Sequence, residues 1–193
     1  MSDGQREFIT VVSGLPRSGT SLMMQMLNAG GIPALTDTVR AADPDNPRGY
    51  FELEAVKQLK NSKDWLREAQ GKVVKIVHML VLDLPIEYEY RVLFMHRDLQ
   101  EVLRSQTVML ERSGRGATLG ADRLAQIYAS QITMVRKWLD ERKSFKVLDV
   151  QYANVIAQPR ANAEAICAFL GDGLDVSSMT AAVDPSLYRN RTR

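Results

Sequence analysis

A short loop between an apolar β-branched segment and an apolar helix-like segment is the first place in this chain where residue types and spacing suggest chemistry. The loop, residues 14–21, contains two glycines, one proline, one arginine and three hydroxyl side chains. A strand–loop–helix junction of this kind directs backbone N–H groups and the positive end of a helix dipole to one point. We therefore expect the loop to bind a phosphate or a sulfate.

The two glycines of this loop have the spacing of a P-loop, but Thr20 replaces the lysine that follows the second glycine in that motif. In kinases and nucleotide hydrolases this lysine contacts the terminal phosphates. Here the cation lies within the loop, as Arg17. The loop therefore suits one phosphate or sulfate better than a triphosphate with magnesium, and a P-loop kinase of a small metabolite is the alternative.

A second candidate anion site follows the apolar segment 91–96. Arg97 and Asp98 come directly after this segment, and Ser105 follows Asp98 by seven residues. Asp98 is typical of a helix start, and seven residues are close to two helical turns, so Ser105 returns to the face where Arg97 emerges. An arginine fork and a serine hydroxyl can then share one phosphate.

Both elements resemble those of a known enzyme family. Residues 16–21 match at every position the pattern P-[KR]-S-G-T-[ST], which forms the 5′-phosphosulfate loop of sulfotransferases that use 3′-phosphoadenosine 5′-phosphosulfate (PAPS). Arg97, Asp98 and Ser105 are similar to the 3′-phosphate motif of the same family, although Leu99 stands where proline is usual. The similarity of two separate motifs makes the resemblance specific.

The resemblance extends over residues 8–171 in the family's order. Residues 150–171 are similar to a family segment that runs from a strand to a Phe-Leu-Gly end, with Ala153 and Asn154 in place of an acidic pair. The resemblance implies a bacterial-type enzyme that transfers a sulfuryl group from PAPS to a hydroxyl or amine and requires no metal. The nucleotide-binding residues that it implies are Gly14, Pro16, Arg17, Ser18, Gly19, Thr20, Ser21, Arg97 and Ser105.

The transfer also requires a base that accepts the acceptor's proton. Cytosolic members carry a histidine after a lysine at the end of the second strand, and Lys75 and His78 lie at a comparable place with one extra residue between them. That shift would turn the side chain to the other face of a strand. Other branches use a glutamate, and Glu52 follows the long irregular loop 32–50. We expect Glu52 as the base, His78 as second candidate, and Lys75 as a nearby cation.

Alternating strand and helix patterns must position these residues. Apolar, β-branched strand patterns cover residues 7–13, 72–78, 91–96 and 145–150. Helix patterns cover residues 20–29 and 52–68, a segment after Asp98, the face from Leu124 to Leu139, and residues 159–170. This alternation predicts a single-domain three-layer α/β fold over residues 1–193, with a mainly parallel central sheet flanked by helices, as in P-loop NTPases. Residues 14–21 and Arg97 follow strand ends and should therefore lie close together.

Composition limits the class of partner. The chain has 193 residues, 25 Lys and Arg against 23 Asp and Glu, and one cysteine, Cys167. The balanced charge argues against a nucleic-acid partner, and the lone cysteine, which we expect to be buried, excludes an intramolecular disulfide and fits the cytoplasm. We expect no membrane span and a small-molecule, carbohydrate or lipid acceptor, held by loops 32–50 and 114–120. Acceptor identity and oligomeric state stay open, as does a non-catalytic nucleotide-binding relative.

Overall fold

Four parallel strands form the sheet of this protein in a computed structural model that describes residues 7–37, 39, 49–112, 114, 120–171 and 173–187. The strands are β1 (Ile9–Gly14), β2 (Val73–Lys75), β3 (Tyr90–His96) and β4 (Phe145–Gln151), in the order β2-β1-β3-β4. The connections from β1 and β3 leave in opposite directions along the sheet. The crevice at the carboxyl ends of these two strands is therefore the place where ligands of such sheets bind.

Helices cover both faces of the sheet. The helices are α1 (Thr20–Ala29), α2 (Leu66–Ala69), α3 (Leu99–Arg112), α4 (Ala121–Asp140), α5 (Tyr152–Ala157), α6 (Pro159–Leu170) and α7 (Val176–Ala181), and three 3-10 helices span Glu54–Gln58, His78–Asp83 and Pro185–Leu187. Val12 packs on the side of α1, α5, α6 and α7, whereas Val11 packs on the side of α2 and α4. The predicted parallel sheet between two helical layers is confirmed.

Strand register brings the two candidate anion sites together. Ser13 pairs with Phe94 and Gly14 pairs with Met95, so β1 and β3 end side by side. Arg97 directly follows β3, and the loop 15–19 directly follows β1. Asp98 Oδ1 accepts a hydrogen bond from the Glu101 N–H at 3.1 Å, which is the predicted cap of α3.

The helix expected over residues 52–68 is wrong. The structure has only the 3-10 helix Glu54–Gln58 and the single-turn helix α2 in this range. Val56 and Leu59 are both buried and lie three residues apart, a spacing that a 3-10 helix places on one face. Glu52 therefore precedes a 3-10 helix by two residues instead of starting a long α-helix.

The second strand is shorter than the pattern 72–78 suggested. Pairing with β1 ends at Lys75, opposite Val12, and His78 is the first residue of a 3-10 helix. β1 itself continues for two residues beyond Val12, to Gly14, so β2 ends before its partner strand does. The argument that placed His78 on the opposite face of a strand therefore does not apply.

Other local expectations have mixed outcomes. Helices α1, α3, α4 and α6 and strands β3 and β4 lie where the patterns placed them, whereas α5 and α7 were not predicted. Cys167 is half-buried and not fully buried as expected. No helix within the described ranges is long and apolar enough to cross a membrane. The extent of the domain, residues 1–193, stays a prediction.

Candidate functional site

The loop after β1 has a backbone that its two glycines make possible. Gly14 has φ 145° and Gly19 has φ 100°. A Cβ atom on Gly14 would lie 2.6 Å from the Met95 carbonyl oxygen, and one on Gly19 would lie 2.3 Å from the Tyr152 ring. Both glycines therefore allow the loop to pass close to β3 and to Tyr152.

Two further features of the loop concern its suitability for an anion. Arg17 has φ 69°, a left-handed conformation that is uncommon for a residue with a side chain. Helix α1 begins after Gly19 without a side-chain cap and without an acidic residue in its first turn. Because the first N–H groups of a helix have no acceptor within the helix, this end of α1 favours an anion.

Ser18 supports the loop from inside. Its side chain is buried, and its hydroxyl donates to the Leu15 carbonyl oxygen at 2.7 Å. The Ser18 N–H donates to the same oxygen at 3.2 Å. These two bonds close the turn, so the role of Ser18 in the structure is to fix the loop's shape.

The Arg17 side chain extends from the loop to α3. Arg17 Nε donates to Ser105 Oγ at 2.9 Å. Arg97 Nη1 donates to the Arg17 carbonyl oxygen at 3.1 Å. The structure thus brings together the three residues that the sequence assigned to two phosphate positions, and it joins them by hydrogen bonds.

Arg97 is held by a buried acid and an aromatic ring. Its Nε donates to Glu101 Oε2 at 2.9 Å, and both side chains are buried, with 8% and 3% of their surface exposed. The guanidinium carbon lies 4.6 Å from the centre of the Tyr152 ring. This ring also packs against Gly19, so it lies beside residues of both candidate anion sites.

A second cluster lies beside the loop, at the end of β2. Lys75 Nζ donates to the Tyr50 carbonyl oxygen at 2.9 Å and to Ser21 Oγ at 3.2 Å, and it lies 3.5 Å from Glu52 Oε1. Lys75 is 10% exposed, whereas Glu52 is 28% exposed. The structure therefore places the expected base and the expected cation in contact, with the Glu52 side chain partly exposed.

His78 does not join this cluster through any contact among the described residues. It is buried, its Nε2 lies 2.9 Å from Gln131 Oε1, and its ring packs edge-on against Tyr128 of α4 at 6.4 Å. Burial lowers the pKa of His78, and the contacts with Gln131 and with the backbone of Gly14 oppose this shift without cancelling it. His78 is therefore a neutral residue of the layer between the sheet and α4.

The lowered pKa of His78 predicts a pH-dependent contribution to stability. The unfolded chain binds the proton more readily, so neutral His78 stabilises the fold above the unfolded value, about pH 6.5, and this contribution is lost as the pH falls through that value toward the folded pKa. The difference in unfolding free energy between the wild type and His78→Asn should shrink between about pH 7.5 and pH 5. Urea unfolding at several pH values measures it; a constant difference would contradict the assignment.

Sequence reasoning missed three residues of the site. Tyr50 supplies a carbonyl oxygen to Lys75, Glu101 holds Arg97, and Tyr152 packs on Arg97 and Gly19. The spacing of four residues between Arg97 and Glu101 was the one available signal, because the first turn of a helix capped by Asp98 brings residue 101 back toward residue 97. The expected acceptor loops lie largely outside the described residues, in 40–48 and 115–119.

Comparison with known proteins points to one family. Residues 89–175 match the model of the sulfotransferase family, a range that includes Arg97, Ser105 and Tyr152 but not the loop after β1. No curated protein sequence matches the chain. The family match therefore depends on β3, α3, α4, β4, α5 and α6.

Solved structures give the fold over nearly the whole chain. A sulfotransferase domain from the curacin biosynthetic pathway is 14% identical, with a TM-score of 0.54, over 95% of this chain and 90% of its own. A sulfotransferase domain from the Synechococcus PCC 7002 olefin synthase is 16% identical, with a TM-score of 0.53, over 100% and 91%. A sulfotransferase from Alicyclobacillus acidocaldarius is 18% identical, with a TM-score of 0.51, over 93% and 87%. The resemblance read from the sequence is supported at two levels: residues 89–175 match the model of the sulfotransferase family, and the chain shares the fold of these solved sulfotransferases.

Proposed function

We propose that the chain transfers a sulfuryl group from PAPS to a hydroxyl or amine of an acceptor. The observation that carries the proposal is the hydrogen-bonded set of Arg17, Ser105 and Arg97 at the ends of β1 and β3, beside the contact between Lys75 and Glu52. A donor with a phosphate at each end of its ribose requires two anion positions close together. The family match and the shared fold support sulfotransfer.

In this proposal the loop and Arg97 bind the two ends of the donor. The N-terminus of α1, Arg17 and the hydroxyls of Thr20 and Ser21 hold the 5′-phosphosulfate, where negative charge grows as the sulfuryl group leaves. Arg97 and Ser105 hold the 3′-phosphate, for which an arginine fork is well suited. The absence of a lysine at position 20 leaves the loop poorly suited to a nucleoside triphosphate.

Glu52 is the base in this proposal. Its carboxylate takes the proton of the acceptor hydroxyl or amine while the acceptor atom bonds to sulfur and the bond between sulfur and the phosphate oxygen breaks. Lys75 lies between Glu52 and Ser21, so its positive charge can stabilise the leaving phosphate and orient the carboxylate. His78, the second candidate, lacks a described contact to these groups.

Transfer of a radiolabelled sulfuryl group from PAPS tests the proposed reaction. The protein is incubated with ³⁵S-labelled PAPS and a panel of phenols, sugars, lipids and amines, and we expect labelled product with at least one class. The variant Arg17→Ala is the blank for adventitious transfer. Magnesium-dependent phosphorylation by ATP would support the kinase alternative, and nucleotide binding without product on any acceptor would contradict transfer in favour of a non-catalytic relative.

The setting of the reaction is also part of the proposal. We propose a small-molecule, carbohydrate or lipid acceptor, a single domain over residues 1–193, and a place in the cytoplasm. The lone cysteine and the balanced charge of 25 basic against 23 acidic residues support this setting. No metal takes part in the proposed step.

A further inference from the structure

We propose that Glu101 is a positioning residue that couples the two anion positions through Arg97. This inference rests on the proposed function, because it assigns the 3′-phosphate to Arg97. Glu101 does not reach the ligand in this account. It fixes the guanidinium, and the guanidinium fixes the backbone of the phosphosulfate loop.

The first step of the coupling is a buried ion pair. Glu101 Oε2 accepts from Arg97 Nε at 2.9 Å, and only 3% of the Glu101 side chain is exposed. Glutamate is almost never buried to this degree unless it is paired. Burying two charges costs desolvation free energy, so a buried ion pair is weak evidence for stability. A role in orienting Arg97 explains the burial of this pair, whereas stability alone does not.

The second step reaches the loop. Arg97 Nη1 donates to the Arg17 carbonyl oxygen at 3.1 Å, and Arg17 is the loop residue with a left-handed backbone. Such a conformation persists only where surrounding contacts determine it. The bond to the Arg17 carbonyl is one such contact, so the direction of Arg97 influences how Arg17 is presented to the 5′ end of the donor.

The Tyr152 ring closes the arrangement from the other side. It lies 4.6 Å from the Arg97 guanidinium and would clash with any side chain at Gly19. The guanidinium is thus hydrogen-bonded to Glu101 and to the Arg17 carbonyl, and it lies over a ring that also bounds the loop. A change at Glu101 is therefore expected to reach both ends of the nucleotide.

The direction of the change in nucleotide affinity distinguishes a positioning role of Glu101 from a purely electrostatic effect of its charge. Removing the negative charge of Glu101 raises the positive potential near Arg97, which by Coulomb attraction alone would strengthen phosphate binding. Positioning predicts the opposite. We expect Glu101→Gln to weaken binding of both 3′-phosphoadenosine 5′-phosphate (PAP) and adenosine 5′-phosphate (AMP) by about tenfold, the difference between a charged and a neutral hydrogen bond, and Glu101→Ala to weaken it further.

Isothermal titration of PAP and AMP into each variant tests this. The matched control is Glu164→Gln, because Glu164 forms the same pair with an arginine four residues earlier, Arg160, at 3.0 Å on the surface. The control should bind both nucleotides as the wild type does. In an Arg97→Ala background, Glu101→Gln should not weaken nucleotide binding further. The double variant Arg97→Ala/Glu101→Gln removes both buried charges, so it provides a test even if Glu101→Gln alone fails to fold.

Three outcomes would overturn the inference. Glu101→Gln could bind PAP as tightly as the wild type or more tightly, or it could bind PAP more weakly with unchanged AMP binding. Alternatively, Glu101→Gln could reduce affinity as much in the Arg97→Ala background as it does in the wild type. A wild type that binds PAP no better than AMP would instead contradict the proposed function. The two failures are therefore distinguishable.

Discussion

Replacing Arg97 by alanine should abolish the preference of this protein for a 3′-phosphorylated nucleotide. Wild-type protein should bind PAP about 100-fold more tightly than AMP, which corresponds to roughly 2.7 kcal/mol and is within reach of charge-assisted bonds in a buried site. In Arg97→Ala the two dissociation constants should be equal within experimental error. Titration calorimetry of both nucleotides into both proteins measures the ratio.

The physical reason is the place of Arg97 in the fold. It follows β3 directly, donates a hydrogen bond to the loop after β1, and is 8% exposed. The control is Arg160→Ala, whose side chain is 68% exposed on α6. Because Arg97→Ala removes the ion-pair partner of the buried Glu101, Arg97→Ala/Glu101→Gln serves as a second variant with the same expected loss. A PAP-to-AMP ratio that stays at the wild-type value would remove the 3′-phosphate role from Arg97.

Glu52→Gln should lower the rate of sulfuryl transfer by about 10²- to 10⁴-fold, the range typical of a lost general base. The amide keeps the size of the side chain but cannot take the acceptor's proton. PAP affinity should stay close to that of the wild type, because Glu52 contacts Lys75 at the end of β2, whereas the residues proposed to hold the 3′-phosphate follow β3. Initial rates with labelled PAPS at saturating donor measure the effect.

Glu54→Gln is the matched control for Glu52. Glu54 is an acid two residues away, paired with Lys57 at 2.7 Å and 53% exposed. Its substitution should leave the rate unchanged. Equal rates for Glu52→Gln and the wild type would contradict the base assignment, and a large loss in His78→Asn with unchanged nucleotide affinity would move the role to His78.

The sequence predicted the parts of the site that depend on strand ends. The loop after β1 and Arg97 after β3 are adjacent because parallel strands end at one edge, and this holds whatever the details of packing. Ser105 differed in one respect, since its hydroxyl accepts a hydrogen bond from Arg17, the cation assigned to the other phosphate. The spacing argument fixed its place on the helix but could not give its partner.

Other parts required the folded chain. Glu101 reads as a surface residue of α3 until the burial of its side chain is known. Tyr152 contacts Gly19 from more than a hundred residues away, and no local pattern signals such a contact. The helix expected over 52–68 failed because tertiary packing of Val56 and Leu59 outweighed a weak helical pattern.

The affinity of the wild-type protein for PAP relative to AMP tests the central claim most directly, because it asks whether the ends of β1 and β3 form a site for two phosphates. Titration of both nucleotides under identical salt conditions should show PAP binding about 100-fold more tightly. Equal affinities, or binding of magnesium ATP that exceeds the binding of PAP, would contradict it.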